Sequence, residues 1–316
     1  MYIEENNYFR IKELEDLGVG ALLLISTTAF SISGEVEVGV ENEDYHGSYS
    51  TSSDMSMPYV GLKLKEIIPN SPLTLDLKYA YRYKYDDEAR DKDRRDRYEA
   101  YLGYKWSWDK LTFSPKIGIR HEAYSSLATN KYQTFYRIYP NFTYKINDNI
   151  SLYQSGYIAP TKTNMNNGKS RINSEGNGDT YYGDYKHELE LGLSFKLDSK
   201  NNLKTALYSE YEHLEDDQSK EEWQLRLIYT HQLNDKIKLE PFARIGLDRE
   251  QRRKSDGEDK DLLRHRFGVK GEYKVTDTFS LLGEVYWQTE RQGQYGKASR
   301  SDKTMNFYKL GFSQEF

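Results

Sequence analysis

The sequence of 316 residues contains no cysteine and, beyond its N-terminal region, no long apolar run. The lack of cysteine excludes disulfides and metal sites built on thiolates. A membrane-spanning helix needs about 20 consecutive apolar residues, so the chain cannot cross a bilayer as a helix after its N-terminus. The formal net charge of −5 argues against nucleic acid as a partner. These absences leave strands as the element from which any membrane-spanning structure would be built.

The most regular feature present is an alternation of apolar and polar residues over positions 73–85. Every odd position is leucine or tyrosine, whereas the even positions include Asp76, Lys78, Arg82 and Lys84. A period of two residues predicts a β-strand with one apolar and one polar face. Strands of soluble domains are usually about five or six residues long, so this one is unusually long. The combination is typical of a transmembrane β-barrel wall.

The same alternation recurs along the chain, and we interpret it as fourteen strands. The connections alternate in length, which is typical of membrane barrels with short periplasmic turns and long extracellular loops. The short turns are predicted at 67–72, 107–109, 147–149, 198–202, 234–236 and 276–278, and the loops at 42–57, 86–96, 123–131, 160–183, 214–221, 249–260 and 291–303. The sequence therefore predicts an all-β fold, a transmembrane antiparallel up-and-down β-barrel of about 14 strands, over residues 34–316.

The composition is unusual for a membrane protein, with 30% charged residues and a mean hydropathy of −0.89. A barrel, however, needs apolar residues only at alternate strand positions. The other face of the predicted strands carries many charged residues, which cannot be buried without partners. Because a soluble β-sandwich would bury one face of each sheet in a core, we expect this face to line a water-filled lumen instead.

The charged lumenal residues are predicted to determine whatever selectivity the channel has. Basic residues predominate in the second to sixth and the tenth to twelfth strands, and acidic residues in the first, eighth, ninth and thirteenth. Facing arcs of opposite charge would create a transverse field across the lumen; alternatively, the charges pair across strands and stiffen a solvated wall. The predicted lining residues are Lys78, Arg82, Arg97, Arg120, Arg137, Arg226, Arg244, Arg264 and Arg266 (basic) and Glu188, Glu190, Glu210, Glu212 and Glu284 (acidic).

Both ends of the chain carry targeting features. Residues 1–33 contain an apolar stretch with small residues after it, which resembles a signal peptide. The acidic residues before that stretch are atypical and suggest an over-extended start. At the other end, Tyr308, Leu310, Phe312 and Phe316 close an alternating strand. This ending resembles the signal by which bacterial outer-membrane barrels are handed to their assembly machinery, which is therefore an expected partner.

The stretch at positions 241–249 reads PFARIGLDR and resembles the corresponding part of the OmpG-type porins, monomeric fourteen-stranded barrels of the Gram-negative outer membrane. Residues 241–316 also follow the strand rhythm and aromatic ending of that family. The resemblance implies a wide, weakly selective channel for small hydrophilic solutes, and a monomer. The two histidines that close OmpG-type porins at acidic pH align near Leu262 and Gln292 here, so we do not expect gating by a histidine pair.

We expect an outer-membrane porin for passive diffusion of small hydrophilic solutes such as ions and sugars, in contact with lipid and lipopolysaccharide. One alternative is a channel that favours acidic oligosaccharides, and another is an outer-membrane hydrolase or adhesin. The sequence shows no nucleophilic serine elbow, no metal-spaced histidine pair and no glycine-rich phosphate loop. We therefore expect no enzyme activity, catalytic residue, metal or cofactor.

Overall fold

The computed structural model describes residues 33–47, 54–84, 94–125, 131–165, 181–214, 218–253, 260–294 and 301–316. Within these ranges no helix is long and apolar enough to cross a membrane. The described residues form β segments only. These are β1 (Ser33–Gly47), β2 (Met55–Lys65), β3 (Thr74–Lys84), β4 (Arg94–Gly103), β5 (Trp106–Ser107), β6 (Leu111–Phe113), β7 (Lys116–Ser125), β8 (Lys131–Tyr139), β9 (Phe142–Lys145), β10 (Ile150–Met165), β11 (Tyr181–Lys196), β12 (Asn201–Leu214), β13 (Gln218–Gln232), β14 (Ile237–Arg253), β15 (Lys260–Lys274), β16 (Phe279–Gln294) and β17 (Ser301–Glu315).

The segments form one closed antiparallel sheet. Successive strands pair with their sequence neighbours, and β1 pairs with both β2 and β17. The ends of the chain complete the closure, since the Gly34 amide donates to the Phe316 carbonyl at 2.9 Å and the Phe316 amide donates back at 3.1 Å. Closure removes the free edges that an open sheet would expose to lipid. The predicted up-and-down barrel is confirmed.

Three neighbouring strands are interrupted, which is why more segments than strands are present. The breaks fall at 104–105 between β4 and β5, at 114–115 between β6 and β7, and at 140–141 between β8 and β9. Two of these breaks contain a proline, which has no amide hydrogen to donate to the ladder. Backbone bonds still cross them, from Tyr104 N to Pro115 O at 3.1 Å and from Ser114 N to Asn141 O at 2.8 Å. Each broken pair therefore counts as one strand, and the described segments make fourteen.

The outer surface of the barrel is a band of exposed apolar side chains. Leu191, Leu207 and Val285 are 52%, 46% and 46% exposed, which is typical of residues that contact lipid rather than a protein core. Aromatic residues lie toward both ends of the band, such as Trp108 beside a short turn and Tyr132 at the start of β8. Aromatic girdles on either side of an aliphatic band characterise transmembrane barrels.

Four short turns repeat one hydrogen-bonding pattern. The first polar residue of each turn accepts two backbone N–H bonds, from the residues two and three positions later. In addition, the residue before this polar residue donates its amide hydrogen to the carbonyl of the residue four positions after itself, at 2.9 Å in each turn. Asn, Asp and Thr side chains favour such turns because they mimic a backbone acceptor. The four residues are Asn147, Asp198, Asn234 and Thr276.

Asp198 gives this turn pattern a testable dependence on pH. The Asn201 side chain and the Lys200 amide donate to its carboxylate, and these bonds lower the pKa of Asp198. A lowered pKa contributes stability at neutral pH that is lost as the pH falls through the folded-state value. We expect Asp198→Ala to lower the urea midpoint at pH 7, and we expect this loss to shrink as the pH falls below about 3.9, the ordinary pKa of an aspartate.

The control for this prediction is Asp235→Ala, at the second position of the next turn, where no bond to the side chain is present among the described residues. It should leave the urea midpoint unchanged at both pH values. A loss for Asp198→Ala that is the same at pH 7 and at acidic pH would contradict a role for the ionised carboxylate.

The strands extend further toward the long loops than the sequence predicts. For example, β14 continues to Arg253, so the first residues of the predicted loop 249–260 belong to a strand. Likewise, β13 begins at Gln218, inside the predicted loop 214–221. Charged residues therefore continue along the inward face past the predicted strand ends. The predicted signal region 1–33 lies outside the described residues except for Ser33, the first residue of β1.

Candidate functional site

The structure places the predicted lining residues on the face opposite the exposed apolar band. Contacts between strands that are not neighbours identify this face as the lumen, such as Arg226 on β13 with Glu190 on β11 at 3.0 Å. Arg137 on β8 similarly donates to the hydroxyl of Tyr101 on β4 at 3.1 Å. The lining residues that share this inward alternation are Lys78, Arg82, Arg97, Arg120, Arg137, Arg226, Arg244, Arg264, Arg266, Glu188, Glu190, Glu210, Glu212 and Glu284.

The largest group of charges is a paired network around Glu222, which is fully buried. Arg249 Nε lies 3.2 Å from the Glu222 carboxylate, and Arg264 donates to both of its oxygens. Arg249 also donates to Glu290 at 2.7 Å. The network, here called the Glu222 network, contains four bases and four acids, and its formal charge is zero. Its members are Lys186, Lys220, Arg249, Arg264, Glu188, Glu210, Glu222 and Glu290.

Three of these glutamates lie side by side on adjacent strands. Glu188 pairs in register with Glu210, and Glu210 pairs with Glu222. Like charges directly opposite one another destabilise a sheet. Lysine and arginine from the neighbouring positions offset the repulsion, as Lys186 does between Glu188 and Glu210, with its Nζ 3.1 Å from each. Pairing across strands, one of the two alternatives for the lining charges, is thus what this wall shows.

A second group, the Glu122 cluster, lies on β4 and β7 and is not balanced. The buried Glu122 carboxylate contacts Arg95, Arg97 and Arg120, with Arg97 Nε at 3.2 Å. Tyr124 also donates to Glu122 at 2.6 Å. Three guanidinium groups share one carboxylate, so the cluster has a formal charge of +2 and gives this wall an excess of positive charge.

A third group is a row of arginines at the centre of β13, β14 and β15. Arg226 pairs in register with Arg244, and Arg244 with Arg266. Arg226 has a carboxylate partner in Glu190, and its guanidinium lies 3.3 Å from the centroid of the Tyr208 ring. Among the described residues, no carboxylate lies within ion-pair distance of Arg244 or Arg266. This row, the arginine row, adds positive charge to a second wall.

The order of strands around the barrel decides which charges face one another. With fourteen strands, each faces the one seven places along, so the fourth and fifth strands face the eleventh and twelfth. The Glu122 cluster on β4 and β7 therefore lies across the lumen from the arginine row. The first strand, which carries Glu35 and Glu37, faces the eighth, which carries Glu188 and Glu190. These strands therefore carry like charges on facing walls, whereas the basic second and sixth strands face the acidic ninth and thirteenth, so the lumen is not divided into one basic and one acidic arc.

The lumen differs between its two ends. Toward the long loops, inward side chains such as Glu122 and Glu222 are 1% and 0% exposed. Toward the short turns, inward lysines such as Lys63, Lys145 and Lys196 are exposed. A cavity of about 350 Å³ lies in the wall at this end, beside the strand breaks. It is lined by Ser114, Asn141, Phe142, Thr143, Ser151, Tyr153, Gln154, Ser155, Ser194 and Lys204. The narrow part of the lumen is thus toward the loops.

Sequence reasoning missed three central members of these groups. Glu122 and Glu222 lie at predicted strand ends, directly beside predicted loops, although they share the inward alternation of Arg120 and Arg226. Arg249 is inward because of a β-bulge: Trp223 pairs with Asp248 and Gln224 with Gly246, so Leu247 is an extra residue that reverses the alternation. The glycine at 246 was the available signal, since glycine within a strand often marks a bulge.

Three residues of the predicted assembly signal lie on the outer face of β17, and Phe316 directly follows the last residue of that strand. Leu310 is the most exposed, at 67%, and the strand on which they lie pairs with β1 to close the barrel. Recognition by an assembly machinery stays a prediction. The four residues are Tyr308, Leu310, Phe312 and Phe316.

No protein-family model matches the sequence, and no curated protein does. Solved structures do match in fold. A TodX monoaromatic hydrocarbon channel lacking two segments (the deltaS2S3 mutant) has a TM-score of 0.52 at 11% identity, over 92% of this chain and 92% of that chain. The CymD monoaromatic hydrocarbon channel has a TM-score of 0.50 at 6% identity, over 90% of this chain and 88% of that chain. A FadL homologue from Pseudomonas aeruginosa scores 0.47 at 9% identity, over 90% of each chain.

At such low identity these likenesses concern the fold alone. The TodX and CymD channels agree in fold with the closed antiparallel barrel described above. A closed barrel with such a band satisfies its own backbone hydrogen bonds within lipid. The chain therefore has the fold of the bacterial outer-membrane β-barrels and an outer surface suited to that membrane.

Proposed function

We propose that the protein is a monomeric outer-membrane channel for passive diffusion of small hydrophilic solutes such as ions and sugars, as in the OmpG-type porins. It acts without a cofactor and is not an enzyme. The observation that carries the proposal is the chemistry of the lumen wall, where charged side chains line strand after strand opposite the apolar band. Such a wall is stable only in contact with water or with partner charges. Fourteen strands lie between barrels that side chains fill and barrels with a wide aqueous channel.

A channel for apolar solutes is the function that the names of the TodX and CymD structures raise. The wall does not favour it here, because Glu222, Arg249 and Arg264 meet in the narrow part of the lumen.

A second candidate, a channel for acidic solutes such as acidic oligosaccharides, is favoured by a specific observation. The Glu122 cluster and the arginine row place excess positive charge on two facing walls.

The proposal is tested by osmotic swelling of liposomes that contain the purified protein. We expect liposomes to swell in isotonic arabinose and glucose, with a rate that falls as the sugar becomes larger. Uronic acids of matched size then separate the two candidates, since faster entry of the uronic acid favours the acidic-solute channel. No swelling with any sugar, together with hydrolysis of peptide or lipid or binding to host cells, would instead support a hydrolase or an adhesin.

A further inference from the structure

The arginine row is unusual because, among the described residues, no carboxylate lies within ion-pair distance of two of its members, Arg244 and Arg266. Directly opposed like charges cost stability, and a partly buried charge without a partner costs more. In the Glu222 network, by contrast, Arg249 and Arg264 both have carboxylate partners within 3.2 Å. Arg266 has only the neutral Gln288, whose Oε1 accepts from its Nε at 2.5 Å. Among the described residues, the other lumenal arginines Arg249 and Arg264 thus have ion-pair partners, whereas Arg244 and Arg266 have none within ion-pair distance.

An apolar ledge lies beside these two arginines. Phe242 and Tyr286 meet edge to face with their ring centroids 6.1 Å apart, and Tyr286 stacks on Phe307 at 4.4 Å. The Arg244 guanidinium lies 5.4 Å from the Phe242 ring, and Arg266 lies 5.1 Å from the Tyr286 ring. All of these side chains alternate inward, so the ledge belongs to the lumen wall.

Gly268, between Phe242 and Tyr286 in the register, allows the ledge to form. A Cβ at this position would lie 2.9 Å from Phe242 Cζ and closer still to Tyr286 Cβ. Any larger residue would therefore separate the two rings. The ledge and the unneutralised guanidinium groups are thus built side by side on the same three strands.

The opposite half of the barrel offers a comparison in which an arginine among aromatic rings has a carboxylate nearby. Arg137 lies 4.0 Å from the Tyr157 ring, donates to the hydroxyls of Tyr101 and Tyr139, and lies 3.7 Å from Glu99. An aromatic setting is therefore compatible with a carboxylate partner in this lumen. Among the described residues, Arg244 and Arg266 have an aromatic setting without such a partner.

We propose that Arg244, Arg266 and the ledge of Phe242, Tyr286 and Phe307 form a binding subsite for a small aromatic carboxylate. The carboxylate takes the place of the missing acid, since guanidinium groups bind carboxylates through paired, charge-assisted hydrogen bonds. The flat ring packs against Tyr286, the half-buried member of the ledge, which the buried Phe242 and Phe307 hold in place. The subsite rests on the proposed function, because a solute must enter the lumen to reach it, and it names one solute class that the channel admits.

The test is equilibrium dialysis of folded, detergent-solubilised protein with radiolabelled benzoate, which needs no conduction. We expect saturable binding of benzoate that is weakened about tenfold in Arg244→Gln/Arg266→Gln, the loss of one good charge-assisted interaction. The control Lys63→Gln/Lys145→Gln removes the same charge from exposed inward lysines elsewhere in the lumen and should stay within about twofold of the wild type. Heat-modifiable mobility on gels shows that each variant is folded.

Acetate has the carboxylate without the ring, and benzyl alcohol has the ring without the charge. Each should bind more weakly than benzoate if the subsite recognises both groups. Phe307→Leu should weaken benzoate but not acetate. No saturable binding, equal binding in Arg244→Gln/Arg266→Gln, or acetate binding as tight as benzoate overturns the subsite. Failure of liposomes to swell, with benzoate binding intact, would overturn the channel and leave the subsite standing.

Discussion

Glu222→Gln should destabilise the folded barrel by about 3–5 kcal/mol, the usual cost of removing one partner from a buried ion pair. The substitution keeps the size of the side chain and removes only its charge. Arg249 and Arg264 would then remain in the narrow part of the lumen without the carboxylate that both contact. The measurement is the free energy of unfolding by urea in phospholipid vesicles.

The matched control is Glu221→Gln, one residue earlier on the same strand. Its side chain is exposed on the outer face and accepts a hydrogen bond from Trp223 at 2.7 Å, so we expect a change below about 1 kcal/mol. Glu222→Gln combined with Arg264→Gln should recover part of the stability, because Glu210, the other carboxylate that Arg264 contacts, keeps Lys186 and Lys220 as partners. A loss below 1 kcal/mol for Glu222→Gln alone would show that the network does not hold the wall together.

Leu207→Arg tests the opposite face of the same wall and should destabilise the barrel by about 2–4 kcal/mol. Leu207 lies at the centre of β12 between Leu191 and Leu225 of the neighbouring strands, and nearly half of its surface is exposed. If Leu207 faced water, replacing it with arginine would change the free energy of unfolding by about 0.5 kcal/mol or less. The large penalty arises only if the side chain faces hydrocarbon.

The control is Leu233→Arg, which lies in a short turn and is equally exposed, at 51%. There we expect a loss of about 0–1 kcal/mol, because a charge near the interface reaches water. Unfolding of both variants in vesicles, followed by tryptophan fluorescence, gives the two values. Equal, small losses would contradict a lipid-facing band at Leu207.

The barrel itself could be predicted from the sequence because strand alternation is a local property. At Leu73 to Tyr85 the period of two residues appears without any knowledge of neighbours, and its recurrence fixes the strand number. The short turns could be predicted for the same reason, because their polar residues accept backbone hydrogen bonds from within the same turn. These residues are Asn147, Asp198, Asn234 and Thr276. Local chemistry was sufficient for both.

The site depends on non-local geometry and was only partly predictable. The bulge at Leu247 reverses the alternation and turns Arg249 inward, which a strict period of two cannot show. The excess positive charge at Glu122 follows from three arginines on two strands that share one carboxylate. The alternation places Phe242 and Tyr286 on the inward face, but their contact with each other and with Phe307 across strands could not be predicted from it.

The central claim is that the lumen contains a continuous path of water despite the Glu222 network and the Glu122 cluster. Single-channel recording in a planar lipid bilayer tests it most directly. We predict steady conductance on the order of a nanosiemens in molar potassium chloride, as fourteen strands allow. The reversal potential in a salt gradient should favour chloride over potassium, since unneutralised arginines lie on two facing walls. Purified, folded protein that inserts into the bilayer and carries no current would contradict the account.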